Sequence, residues 1–294
     1  KSRNLARKTA RRHPQAKIVV TGCYAQQDWR TLQDMPEVSL VIGNTHKEKI
    51  PFYLDEWLNE KNAVYTSSIK EISKFQPFPN INFSEHTRAF LKIQDGCQQY
   101  CSYCIIPYVR GNYRSWAPEK VIAQIRQLVE AGFQEAILSG IHLGKYGIDL
   151  SPSISLTQLL RRIEAETALP RLRLSSLEPM DIDNDFIEFV ANSRILCPHL
   201  HIPIQAANDR ILTLMNRPYS VAEFANILNH IQQKRPDILL GTDIIAGFPG
   251  ETDADFAEAL QNLALLPISL FHIFPYSDRP GTAAFEQQPK VAKP

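Results

Sequence analysis

Cys97, Cys101 and Cys104 stand in the pattern C-x3-C-x2-C, and three soft thiolates on one short loop can hold three irons of a cubane 4Fe-4S cluster. A fourth iron then has no protein ligand, and an open iron can take the amino and carboxylate groups of a small molecule and pass it an electron. A structural zinc site fits less well, because zinc there takes four ligands, usually in paired C-x2-C halves, and no second pair follows. A disulfide fits less well again, since three cysteines cannot pair evenly. Two further cysteines stand apart. Cys23 lies in the turn TGCYAQ after an apolar run, where a lone cysteine is usually packing, and Cys197 sits in a Leu-Cys-Pro context that reads as core.

The loop needs a scaffold, and the pattern around it supplies one. Apolar strand candidates recur at 90–94, 135–139, 171–175, 199–204, 239–245 and 269–274, with helix candidates at 118–131, 155–167, 183–192, 220–234 and 253–265. Pro118 opens the first of these helices and Gly132 stands just past its end, the asymmetry expected of a helix. Six β/α units in about 190 residues require parallel strands with right-handed crossovers, so the fold class is α/β, as a barrel or as an open doubly wound sheet. Ligand chemistry belongs at the C-terminal ends of such strands. The polar and glycine residues fall there: Asp95-Gly96-Cys97, Ser139-Gly140, Ser175-Ser176, Gln205, Gly247-Phe248-Pro249-Gly250 and Pro275-Tyr276-Ser277 converge on one rim. Taken singly, Gly247 and Gly250 also read as turn glycines, and Ser175 and Ser176 as backbone caps.

Ahead of the array, a helix at 4–12, strands at 17–21 and 40–42 and an amphipathic helix at 47–59 read as part of a separate α/β domain over 1–62. The stretch 63–85, with Pro77 and Pro79, reads as a linker, and 86–294 as the main domain. Of 294 residues, 44% are hydrophobic and 21% charged, the profile of a soluble globular protein. There is no apolar run of about 18 residues and no secretory signal, so the cytoplasm is the expected location and no membrane is a partner. Five cysteines in such a chain favour metal or catalysis over disulfides. The net charge of +1 gives no global case for nucleic acid. The excess is local: Lys1, Arg3, Arg7, Lys8, Arg11 and Arg12 put six cations in the first twelve residues, a stretch with no acid, and read as a solvated helix face or, alternatively, as an RNA-binding surface. Starting at Lys1 and trailing off in EQQPKVAKP, the chain reads as a piece of a longer protein at both ends.

The cysteine loop follows the first strand of the array and carries an aromatic, Tyr103, just before its last cysteine. In this it resembles the radical S-adenosylmethionine (SAM) superfamily, in which a C-x3-C-x2-aromatic-C loop follows the first strand of a partial (β/α)6 barrel. The resemblance implies SAM at the open iron and a 5′-deoxyadenosyl radical as the product of its cleavage. It implies that the backbone beside Tyr103 lies near the adenine, and that Ser139 and Gly140 stand where the superfamily often has Gly-Gly-Glu receiving the methionine amine; the acid is missing here. Ser175, Gln205, placed for the ribose, and Gly247, in the adenine-side stretch GTDIIAGFPGE, complete the implied SAM set. Arg110 and Arg114, just past the loop, suit the SAM carboxylate or a tRNA phosphate, or are solvated surface arginines.

Longer stretches are more particular: VVTGCYAQ (19–26), KIQDGCQQYCSYCIIPYVRGNYRS (92–115), LSGIHLGKYG (138–147), RLRLSSLEP (171–179), HLHIPIQAANDRILTLMNR (199–217), IIAGFPGET (244–252) and FPYSDRPGTAA (274–284). Together they resemble the methylthiotransferases across nearly the whole chain, most closely the type acting on threonylcarbamoyladenosine in tRNA. The types acting on isopentenyladenosine and on a ribosomal-protein aspartate are sisters. The resemblance implies methylthio transfer to carbon 2 of an adenine beside the anticodon, with the tRNA anticodon stem-loop as partner and an electron donor such as flavodoxin or ferredoxin. It implies a second 4Fe-4S cluster in the parent protein, with Cys23 as the one ligand inside this chain, so one cluster is expected here and uncoupled SAM cleavage at most. In one place the chain departs from the family, with Gln205-Ala206-Ala207-Asn208 where Gln-Ser-Gly-Ser is usual.

Overall fold

The computed structural model describes residues 2–57, 63–77 and 87–291. They divide into two compact units: the first holds the residues up to 77 together with Gly96–Gln98 and Ile106–Asn112, and the second holds the rest.

The first unit opens with the helix Ser2–Arg12 and contains a parallel sheet of β1 (Val19–Thr21), β2 (Leu40–Ile42) and β3 (Ala63–Tyr65), in that spatial order. Two short helices, Cys23–Gln27 and Trp29–Gln33, follow β1. β2 is central and wholly buried, and its side chains alternate as a two-residue period requires. Val41 joins Ala6, Ala25, Leu32, Met35 and Val38 in one cluster, while Leu40 and Ile42 join Tyr53 in another. Tyr53 stacks on Tyr65 with ring centroids 4.0 Å apart. The helix expected over 47–59 begins as a 3-10 turn, Asn44–Lys49, before the α-helix Ile50–Trp57; Pro51 falls in the first turn of that helix, where no amide donor is required. β3 corrects the linker reading, because three of the residues assigned to it pair with β2 in register Val41↔Val64. Ala63–Tyr65 lacks the purely aliphatic run that marks the equally short β2, and three residues carry no periodicity of their own. The boundary expected near residue 85 lies outside the described residues.

In the second unit, β4 (Arg88–Lys92) leads into the two-residue β5 (Gln94–Asp95), which pairs antiparallel with β6 (Arg114–Ser115). The remaining strands are β7 (Glu135–Ser139), β8 (Arg171–Leu174), β9 (His199–His201), β10 (Leu239–Ala246) and β11 (Leu270–Pro275). Two parallel sheets, β4-β7-β8 and β9-β10-β11, are joined by a parallel bridge between Leu172 and Leu196. Six parallel strands thus lie side by side in chain order, the α/β arrangement expected of a partial (β/α)6 barrel. Helices Pro118–Glu130, Leu156–Glu166, Asn184–Asn192 and Val221–Lys234 cover one face. They bury Ile125, Leu159, Leu160, Val190 and Phe224 in a single core with Leu138, Leu172 and Leu200 of the strands. Helix starts are fixed locally: Ser155 with Gln158, Ser220 with Glu223 and Thr252 with Asp255 form reciprocal capping boxes.

Candidate functional site

In the second unit the cysteine loop is stitched to the end of the helix Asp209–Leu214. Ser102 donates its amide to Met215 O at 3.0 Å and its hydroxyl to Leu214 O at 2.8 Å, and Asn216 Nδ2 donates to Tyr100 O at 3.0 Å. The Cys104 amide donates to Cys101 O at 2.9 Å, closing a turn between the two cysteines. Cys101 is buried and Cys104 half-buried, and no disulfide links any of the five cysteines.

A buried arginine stands over this turn. Arg217 Nη1 lies 3.1 Å from Cys101 Sγ, its Nε donates to the Tyr219 hydroxyl at 3.0 Å, and its other terminal nitrogen pairs with the Glu178 carboxylate. Burial opposes the charge of the guanidinium, but Glu178 and the neighbouring hydroxyl and thiol groups outweigh it and hold the group firmly protonated. Tyr219 in turn donates to Ile204 O at 2.9 Å, and burial pushes its hydroxyl and that of Tyr103 above the usual phenol range. No spacing in the chain singles out Arg217 or Glu178. They stand 116 and 77 positions from Cys101, inside motifs noted only for their resemblance.

The predicted rim residues divide into three kinds. Ser175 closes β8 with its Oγ buried and without a protein partner among the described residues. Gly247 and Phe248 offer their amides to Glu251 Oε2 at 2.5 and 3.0 Å, and Phe248 meets Tyr276 and Tyr103 edge-on at 5.3 and 6.5 Å, an aromatic patch beside the cysteine turn. Gln205 bridges β10 through its backbone, donating to Asp243 O and accepting from Ile245 N. Ser139 and Gly140, at the end of β7, lie close against neighbouring segments. The Ser139 hydroxyl donates to Leu91 O at 3.4 Å, and a Cβ on Gly140 would lie 2.9 Å from the Gln94 side chain, whose Oε1 accepts the His142 amide. Arg114, read as an anion contact, is buried and lies 3.8 Å from Asp95 Oδ2, with Lys92 Nζ at 3.2 Å from the same oxygen. Its charge is matched inside the fold because β6 carries it inward beside β5. Cys197 is buried beside β9, as its context suggested.

Two polar constellations were missed. His142 Nε2 and Lys145 Nζ lie 2.5 and 2.7 Å from the carboxylate of Asp181, whose side chain is 2% exposed. On β9, β10 and β11, His201 and His272 approach Asp243 Oδ1 at 2.9 and 3.2 Å, with the two rings stacked 5.1 Å apart. Each draws on residues far apart in the chain, which no spacing rule links.

The first unit has its own thiol site. Cys23 opens the helix Cys23–Gln27 after Gly22, whose φ of 103° is one that glycine adopts freely. Arg110 Nε donates to Cys23 Sγ at 3.2 Å, and Asn44 Nδ2 lies 3.7 Å from the same sulfur while donating to Val109 O at 2.8 Å. Arg110 therefore faces a cysteine rather than solvent, and Asn44, also unforeseen, is buried with its Oδ1 unpartnered among the described residues. Cys97 belongs to this unit, and its amide donates to Gly111 O at 2.9 Å.

The donor set suits a 4Fe-4S cluster. Thiols of one loop supply soft ligands, an N–H already points at one sulfur, and the buried hydroxyl at the end of β8, without a partner among the described residues, suits a bound molecule.

The sequence profile of the Radical SAM superfamily matches residues 91–263. Over 292 residues the chain is 39% identical to the threonylcarbamoyladenosine tRNA methylthiotransferase MtaB of Aquifex aeolicus, covering 99% of this chain and 70% of that protein. It is 38% identical to the Bacillus subtilis protein of the same name, over 99% of this chain and 65% of the relative. It is 36% identical to a tRNA-2-methylthio-N(6)-dimethylallyladenosine synthase of Clostridium botulinum, over 94% and 62%. Among solved structures, the cobalamin-dependent SAM radical enzyme OxsB matches with a TM-score of 0.62 at 13% identity, over 96% of this chain and 43% of that one. The radical SAM methyltransferase TsrM of Kitasatospora setae, with cobalamin and a 4Fe-4S cluster bound, matches with 0.58 at 16% identity, over 74% and 40%. These two show the fold. The chain belongs to the radical SAM superfamily and, within it, to the MtaB-type tRNA methylthiotransferases. It spans 62 to 70% of the length of the curated relatives named above. Among the described residues no helix is long and apolar enough to cross a membrane.

Proposed function

We propose that the protein from which this chain comes adds a methylthio group to carbon 2 of N(6)-threonylcarbamoyladenosine beside the anticodon of tRNA, working in the cytoplasm. The support is the 39% identity over 292 residues to a relative of that name, set against 36% to a dimethylallyladenosine synthase. Cys97, Cys101 and Cys104 would hold a 4Fe-4S cluster, which when bound supplies the electron that cleaves SAM to a 5′-deoxyadenosyl radical. The protein's part is to hold and shield. Ser175 Oγ, without a partner among the described residues, suits a polar group of SAM, and Tyr103, Phe248 and Tyr276 suit its adenine. Cys23 would serve a second cluster of the parent protein, residues 1–62 would belong to its N-terminal domain and 86–294 to its SAM domain, and a flavodoxin or ferredoxin would deliver the electrons.

Anaerobic reconstitution of this chain should give about four irons, with an absorbance that bleaches under dithionite. Retention of that signal in Cys97→Ala or Cys101→Ala would remove the cluster assignment. For the substrate, tRNA from a strain lacking the parent protein is digested and weighed. Loss of the methylthio form of the threonylcarbamoyl nucleoside is the expected result, and loss of another methylthio product in its place would transfer the assignment to a sister type.

A further inference from the structure

We infer that Arg217, held by Glu178 and Tyr219, is a positioning residue that sets how readily the cluster on Cys101 accepts its electron. This rests on the assignment of Cys101 as a cluster ligand. Arg217 Nη1 is 3.1 Å from Cys101 Sγ, close enough for a charge-assisted N–H···S hydrogen bond. A hydrogen bond to a ligating sulfur and a fixed positive charge beside it both favour the form of the site that carries more negative charge, which is the reduced form. No bond is made or broken at Arg217. One electron arrives from the donor, and the guanidinium lowers the free energy of the state that holds it.

The setting keeps that influence from being screened away. The Arg217 side chain is 1% exposed, so water and salt do not shield its charge from the sulfur. Its orientation is fixed on three sides: Cys101, the Tyr219 hydroxyl, and Glu178 in the Ser-Ser-Leu-Glu-Pro turn after β8. The guanidinium also lies 5.1 Å from the Tyr219 ring centroid. A Lys at this position would keep the charge and lose the fork that reaches sulfur, carboxylate and hydroxyl together. Glu178 acts in the opposite sense. Its carboxylate offsets part of the guanidinium charge, so the pair sets the field at Cys101 by difference.

The test is an EPR-monitored redox titration of the reconstituted chain and its Arg217→Gln, Arg217→Lys and Glu178→Gln variants. In Arg217→Gln the ratio of reduced to oxidised cluster at a fixed poise should fall about tenfold, a drop of about 59 mV for one electron. Arg217→Lys should recover part of that drop, and Glu178→Gln should move the potential upward. An unchanged potential in Arg217→Gln at full iron content overturns the proposal. If Arg217→Gln does not take up iron, Glu178→Gln decides alone, and a potential that stays put or falls overturns it. Full iron content in Cys101→Ala would instead refute the ligand assignment, so the two failures are distinguishable.

Discussion

At the scale of single residues, two substitutions separate geometry from charge. Gly96 precedes the first loop cysteine with a φ of +79°, and a Cβ there would lie 1.8 Å from Asn112 O, a backbone atom that cannot swing aside. Gly96→Ala combines a left-handed backbone with a clash, so a loss of at least about 1–3 kcal/mol is expected. A melting temperature equal to that of the parent chain would contradict it. Asp181 tests charge. Burial pushes its carboxyl up, but His142 and Lys145 together hold it below its ordinary value. A carboxylate with a depressed pKa contributes stability that is present above the unfolded value of about 4 and lost as pH falls through the folded one. Asp181→Asn should therefore cost about 3–5 kcal/mol at pH 7, the usual loss when one partner of a buried pair is removed. Below pH 4 the gap between the two proteins should narrow, and urea unfolding at pH 7 and 3.5 reads both values. A gap that is constant with pH would mean that the ionised carboxylate is not what stabilises.

At the scale of elements, helix starts are written in adjacent residues and can be tested one at a time. Ser220 accepts from the Glu223 amide while the Glu223 side chain accepts from the Ser220 amide. Ser220→Ala should lower stability by about 1 kcal/mol and leave iron content unchanged, as measured by urea unfolding and iron assay on the same sample. The barrel strands and helices were legible for the same reason. Runs such as 135–139 and 239–245 are apolar and bounded by turn residues, and helices such as Pro118–Glu130 carry their start and stop signals beside them. Some short elements were not legible, although β1 and β2 were, because their aliphatic runs stand out. β3 is seen only through its pairing with β2, and the helices Cys23–Gln27 and Ile106–Arg110 are too brief to show a period.

At the scale of the whole molecule, the two cysteine assignments predict different iron counts. On the proposed assignment of Cys23 to a second cluster, Cys23→Ala in this chain should leave about four irons in place, whereas the same change in the parent protein should remove one cluster and leave the other. Iron assay beside EPR of both forms checks this, and loss of the iron from the short chain would show that Cys23 serves the cluster of the loop.

The α/β alternation and the three-cysteine loop followed from sequence, since periodicity, turn chemistry and thiol spacing act over a few residues, whereas the barrel order of the strands came from the family resemblance. Which arginine faces which sulfur followed from neither. Arg114, three positions before the helix-opening turn, was turned inward onto Asp95, Arg110 was turned onto Cys23, and Arg217 was brought across 116 positions to Cys101. Those pairings arise only when the strands stack and exclude water, because a buried charge must then find a partner wherever the fold has placed one.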